Sequence, residues 1–208
     1  MSIPGDLIYD LFAGIVTLFV ILDPIGAIPF FQALTREATP AERRIVARRS
    51  VLISTVLLLI FAYLGRAILA LLGINIYDFE IAGGALLLVF AIRDALSNEP
   101  LGASESLAAA EKSTVERIAV IPLATPLLAG PGSLTTSILL ANASYGYLIA
   151  GVAILVDSSL AFVALRSSDG LNKFVGPSGL MIIGKVLDIL MAAIAVSYLV
   201  KGISGVGL

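Results

Sequence analysis

Two short stretches carry residue types able to do chemistry: LDPIGAIPFF (residues 22–31) and TPLLAGPGSLTT (residues 125–136). The first places a carboxylate, Asp23, directly before Pro24, with Gly26, Ala27 and Pro29 following. A carboxylate among unwound carbonyls suits an ammonium group or a small cation such as sodium, or it takes up and releases a proton. The second begins with Thr125 and reaches Gly130, Pro131 and Gly132, where no side chain covers the glycine backbone. Ser133, Thr135 and Thr136 then follow on what should be a restarting helix. Free amides and the positive dipole end of such a start suit an anionic group such as a carboxylate. Asp157, Lys185 and Asp188 are further charges set in apolar sequence.

Other chemistry is closed off. The chain has no cysteine and no histidine. Disulfides, thiol relays, Cys/His metal sites and a Ser–His pairing are therefore excluded, and no carboxylate metal cage is expected. An intramembrane hydrolase would need an aspartate pair, or Ser158 or Ser159 with Lys185, and no flanking signature supports either. The expectation is a protein that is not an enzyme and carries no cofactor beyond a coupling proton or sodium.

Such residues need elements to hold them. Of 208 residues, 59% are hydrophobic and 13% charged, and mean hydropathy is +1.04, which places the chain among integral membrane proteins. The net charge of -2 gives no footing for a nucleic-acid partner. Residues 1–6 are not basic and no small-residue cleavage site follows the first apolar run, so that run reads as a spanning helix. A helix needs ~20 mostly apolar residues to cross ~30 Å of hydrocarbon. Six spans are expected, at residues 7–34, 46–72, 77–96, 115–143, 146–165 and 179–201. Residues 118–156 contain no charge and are too long for one span, and NASYGY (142–147) supplies the turn.

Loop charges set the orientation. Arg36, Arg43, Arg44, Arg48, Arg49, Arg93, Lys112, Arg117, Arg166 and Lys173 fall in or beside three loops on one side, ten of the 13 basic residues. Only Arg66 and Lys201 fall on the other. The positive-inside rule puts the three loops in the cytoplasm and both termini outside it.

The two stretches also read as a repeat. DPIGAIP (23–29) and TPLLAGP (125–131) share a polar residue, two prolines at one spacing and a middle alanine, at an offset of 102 residues. The same offset lays the second span on the fifth and the third on the sixth. Three spans per repeat is odd, so the halves must have opposite topology, as in many secondary transporters. The organisation expected is a first three-helix repeat at 1–97, a cytoplasmic connecting loop at 98–114 and a second repeat at 115–208. Paired prolines should unwind the first span from Asp23 to Pro29. Unwound backbone is tolerated only inside protein or along a wet cavity. Two proline kinks that merely shape the bundle would account for Pro24 or Pro126 alone, but less well for Asp23 and the Gly-Pro-Gly-Ser cluster.

The remaining intramembrane charges fit either of two roles. Asp157 lies midway along the fifth span among Ala150, Ala153, Ala161 and Ala164. Lys185 and Asp188 share a face of the sixth. They serve coupling, or Lys185 forms a structural ion pair with Asp188 or Asp157. Gly83 and Gly84 are read as close helix contacts.

DPIGAIPFF, IPLATPLLAGPGSLTT (121–136) and LMAAIAVSYLVKGI (190–203) resemble the MarC family, the SnatA-type small neutral amino acid transporters, over essentially the whole chain. The resemblance implies a six-span protein of the inner (cytoplasmic) membrane with two inverted three-helix repeats and discontinuous helices 1 and 4. It also implies uptake of small neutral amino acids, the glycine and alanine class, coupled to protons or sodium. Two positions depart from the family pattern: Ala27 stands in place of asparagine and Asp188 in place of glycine. The alternative to a transporter is a passive channel, since broken helices with opposed termini also build pores.

Overall fold

The computed structural model describes residues 5–96, 119–143 and 146–207. The expected connecting loop and residues 115–118 of the fourth span lie outside the described residues. Within them the chain is all helix: α1 (Gly5–Leu22), α2 (Ala27–Leu34), α3 (Pro40–Leu71), α4 (Ile76–Leu96), α5 (Ala119–Leu128), α6 (Pro131–Asn142), α7 (Gly146–Arg166) and α8 (Ser168–Val206).

Prolines explain the interruptions. A residue before proline is pushed out of helical backbone. Asp23 meets this by taking φ 41°, a left-handed conformation open to aspartate and few other residues. α1 therefore stops at Leu22 and α2 leaves at an angle of 43°. The unwound stretch is shorter than expected, four residues rather than seven. Pro29 lies in the first turn of α2, where a missing amide costs little. The second break is the more irregular. α5 is wound loosely and holds two extended residues, Ile121 (φ -129°, ψ 120°) and Thr125 (φ -138°, ψ 122°), each preceding a proline. Gly130 then caps α6 with Pro131 in its first turn, and the α5–α6 bend is 57°.

The second span begins earlier than its apolar run. Thr39 and Glu42 form a reciprocal capping box with Pro40 between them, so α3 projects beyond the hydrophobic zone. The expected loop between the fifth and sixth spans is instead largely helical. α8 starts at Ser168 and bends at Gly176 (φ 77°), just before Pro177. Its first arm is tied down by Arg43, which pairs with Asp169 at 2.8 Å.

α3, α7 and α8 are each long and apolar enough to span a membrane, and α1–α2 and α5–α6 qualify as bent pairs, giving three to five spans by length and composition. α4 fails that test because each of its 18-residue windows includes at least three of Asp78, Glu80, Arg93 and Asp94. It nonetheless packs along α8 more extensively than any other helix pair. Gly84 makes this possible, since a Cβ there would stand 2.9 Å from the Ala195 carbonyl oxygen. α3 lies against both α5 and α6, and α7 lies against both α1 and α2. One core, including Leu18, Leu22, Phe30, Phe31, Leu58 and Ile154, fills the space among α1, α2, α3 and α7. A second, including Ile21, Leu87, Ala91, Met191 and Ala195, joins α1 to α4 and α8. α1 thus carries the first break between two cores, while Phe12, Leu52, Val163 and Ile189 point outward as a lipid-facing surface requires.

Candidate functional site

The first break is a closed turn. The Ala27 amide donates to the Asp23 carbonyl at 3.1 Å, and the Gly26 amide donates to Asp23 Oδ1 at 3.0 Å. The turn rests on α8: a Cβ on Gly184 would lie 3.8 Å from Gly26 Cα. Around it gather charges from two other helices. Asp188 of α8 and Asp94 at the end of α4 both act on the Asp23 carboxylate. Lys185, one turn before Asp188, donates from Nζ to the Asp94 carbonyl and acts on Asp188 electrostatically. The arrangement is three carboxylates and one ammonium from α1–α2, α4 and α8, beside backbone that is not helical. Among the described residues no acidic group has the geometry to hold a metal ion.

Pro24 is buried and Asp23 and Gly26 partly so. Ala27 is 1% exposed and faces the first core, so the position that the resemblance assigns to asparagine is apolar inside and out. Of the expected ion pairs, Asp188 does have Lys185 for a neighbour. Asp157 does not: it is 0% exposed, and neither of its carboxylate oxygens has a hydrogen-bond partner among the described residues.

The second break presents a helix start rather than a charge. Gly130 is required there, because a Cβ would lie 2.6 Å from the Pro126 carbonyl oxygen. Ser133 donates to the Leu128 carbonyl at 2.8 Å, closing the turn from within. Gly132 is covered by apolar side chains: a Cβ there would meet Leu87 Cδ1 at 2.3 Å and Ile21 Cγ2 at 3.2 Å. Ile21 is two residues before Asp23, so α1 links the two breaks directly. Thr135 packs on Gly83, whose Cβ would stand 2.2 Å from Thr135 Cγ2. Thr136 donates to the Gly132 carbonyl at 2.8 Å and shares a 3.1 Å hydrogen bond with the Tyr198 hydroxyl. Thr125 is partly buried in extended backbone.

Sequence reasoning placed Asp23, Asp188 and Lys185 inside the protein but passed over Asp94 and Leu87. Asp94 follows Arg93 at a helix end, where a charge reads as an interfacial anchor. Leu87 is one apolar residue among many in α4. Neither carries a local signal, and only the packing of α4 on α1, α6 and α8 brings them to the breaks.

At the far end of α2, that helix is tied to α8 and to α3. Gln32 Nε2 donates to the Ser168 carbonyl at 3.1 Å. Arg43 Nε donates to Thr35 Oγ1 at 3.2 Å, and its guanidinium lies over the Phe31 ring. An open cleft of ~470 Å³ lies here, lined by Arg43, Arg44, Arg166 and Asp169, at the end of α2 away from Asp23.

Residues 8–206 match the family described as MarC family integral membrane protein. The chain is 36% identical to a UPF0056 membrane protein of Methanocaldococcus jannaschii over 194 residues, 91% of this chain and 93% of the relative. It is 33% identical to a UPF0056 membrane protein of Archaeoglobus fulgidus over 208 residues, 98% and 96% of the two chains. The UPF0056 membrane protein YhcE of Escherichia coli is 31% identical over 201 residues, 94% and 92% of the two chains. No solved structure matches.

Proposed function

The chain belongs to the MarC family of integral, multi-pass membrane proteins, and from that premise we propose that it is a secondary active transporter of small neutral amino acids of the glycine and alanine class. Transport is coupled to protons or sodium and works by alternating access around the breaks in α1–α2 and α5–α6. The observation that carries this reading is the joining of the two breaks through α1, with Ile21 against Gly132 and the Asp23–Gly26 turn beside Gly184 of α8. A soluble-type bundle has no use for two buried interruptions, and a membrane bundle tolerates them where they line a path.

In this reading the substrate ammonium is met by Asp23, with Asp188 adding negative charge. Its carboxylate is met by the first-turn amides of α6, with Ser133 or Thr135 hydroxyls assisting. Leu87 and Ile21 cover Gly132, so binding requires them to move aside, and the tight packing favours a side chain no larger than a methyl group. The reciprocal packing of α3 on α5–α6 and of α7 on α1–α2 supports an inverted repeat. In that arrangement α4 also spans, as the third of six, the protein sits in the cytoplasmic membrane and both termini are outside.

The test is uptake of a panel of neutral amino acids into proteoliposomes under imposed proton and sodium gradients. Accumulation of glycine or alanine above the external concentration under one of the gradients is the expected result. Equilibration without accumulation under either would point to a passive channel.

A further inference from the structure

Asp157 stands apart from this site. It sits in the middle of α7 with no exposed surface, and both carboxylate oxygens lack a hydrogen-bond partner among the described residues. The helices packed against α7 are α1, α2, α3, α6 and α8, and among the described residues none places a hydrogen-bonding charge on the Asp157 oxygens. α2 and α6 contain no ionisable side chain. Asp10 on α1 is exposed near the start of that helix. On α3 the level of Asp157 is marked by the 2.7 Å hydrogen bond between the Thr55 and Ser158 hydroxyls. Arg49 and Tyr63 lie about 9 Å and 12 Å from Thr55 along that helix at ~1.5 Å per residue. On α8, Lys185 and Asp188 belong to the cluster around Asp94 and Asp23. Among the described residues, burial and not a neighbouring charge dominates the surroundings of Asp157.

An ionised carboxylate with neither counter-charge nor donor cannot be held in such a place, and in practice it becomes neutral. We infer that Asp157 is a proton-binding site distinct from Asp23, occupied while this packing around α7 keeps it dry and emptied when water reaches it. Taken with the transporter reading, on which this extension rests, it makes the proton the coupling ion and gives it a place away from the substrate. Sodium fits less well, because it would need several oxygens turned toward it. Apart from its own carboxylate, no oxygen among the described residues is shown to be turned toward Asp157: the Thr55 and Ser158 hydroxyls face each other.

Infrared spectroscopy of the purified protein in lipid, titrated with pH in sodium-free buffer and repeated with sodium, tests this directly. Wild-type protein should show a protonated-carboxyl band at neutral pH that is absent from Asp157→Asn and unchanged by sodium. Asp157→Thr, which places at 157 the residue found 102 positions earlier at Thr55, should lose the same band and covers the case of an unstable asparagine variant. Identical bands in wild type and a folded variant, or loss of the wild-type band on adding sodium, would overturn the site. Proton-driven accumulation of glycine should fall by about tenfold or more in the variant, the equivalent of ~1.4 kcal/mol. A lost band with undiminished accumulation would overturn the coupling role. Wild-type protein that transports nothing would count against the transporter reading alone, since the infrared comparison stands without it.

Discussion

Asp23 folds back onto Gly26: its Oδ1 accepts the Gly26 amide at 3.0 Å, and a Cβ on Gly26 would stand 1.9 Å from its Oδ2. The glycine is needed for space and not for conformation, since its φ of -62° and ψ of -27° are open to any residue. Turn and carboxylate are therefore one unit. The turn fixes where the charge points, and the charge holds the turn together.

Gly26→Ala should consequently act at a distance of one turn. The methyl group must drive the Asp23 carboxylate away from its amide, while α2 is still free to form. The expected outcome is a folded protein whose glycine uptake falls by about tenfold or more. Monodisperse elution and a normal helical circular dichroism spectrum together with lost uptake would bear this out, and unchanged uptake would show that the orientation of Asp23 does not matter.

Asp23→Asn and Asp23→Ala separate the two duties of that residue. Asparagine tolerates φ 41° and still accepts the Gly26 amide, so it removes only the charge. Alanine removes the acceptor as well and pays ~1–2 kcal/mol for the left-handed backbone. Both should lose gradient-driven uptake, and only alanine should also lower the melting temperature in detergent. Full accumulation by Asp23→Asn would remove Asp23 from the site.

The α4–α8 contact makes a prediction about stability alone. A Cβ on Gly84 meets backbone, the Ala195 oxygen at 2.9 Å and the Leu199 nitrogen at 3.0 Å, whereas one on Gly83 meets the Thr135 side chain. Either glycine-to-alanine change should cost ~1–3 kcal/mol by overpacking. Thr135→Ala should partly recover Gly83→Ala, because it deletes the two nearest atoms, but should do nothing for Gly84→Ala. Thermal unfolding of the single and double variants measures this, and equal recovery of both would contradict the contact.

What could be read from the sequence follows from how local each cause is. Proline acts on its neighbours, so the breaks at Asp23 and before Pro131 were legible, as was the role of Gly83 and Gly84 in close helix contact. The extent of the first break was not, because Pro29 falls in the opening turn of a helix whose start depends on the Asp23–Gly26 turn. The same rule applied to Pro122 and Pro126 would have found the extended residues Ile121 and Thr125. The start of α3 was signalled by Thr39-Pro40-Ala41-Glu42, a capping pattern that hydropathy overlooks. The helical arm of α8 and the gathering of Asp94 with Asp23, Asp188 and Lys185 arise from contacts between distant helices. The Asp94 carbonyl, to which Lys185 Nζ donates, was not among the partners weighed for Lys185, because only packing brings it there.

The central claim is that the two breaks form one site that is reached from each side in turn. Counterflow tests it most directly: proteoliposomes loaded with unlabelled glycine are diluted into a trace of labelled glycine with no ion gradient. Transient accumulation of label above equilibrium, abolished when the loaded glycine is omitted, is the predicted result. Label that enters at the same rate with and without internal glycine, and never overshoots, would contradict the account.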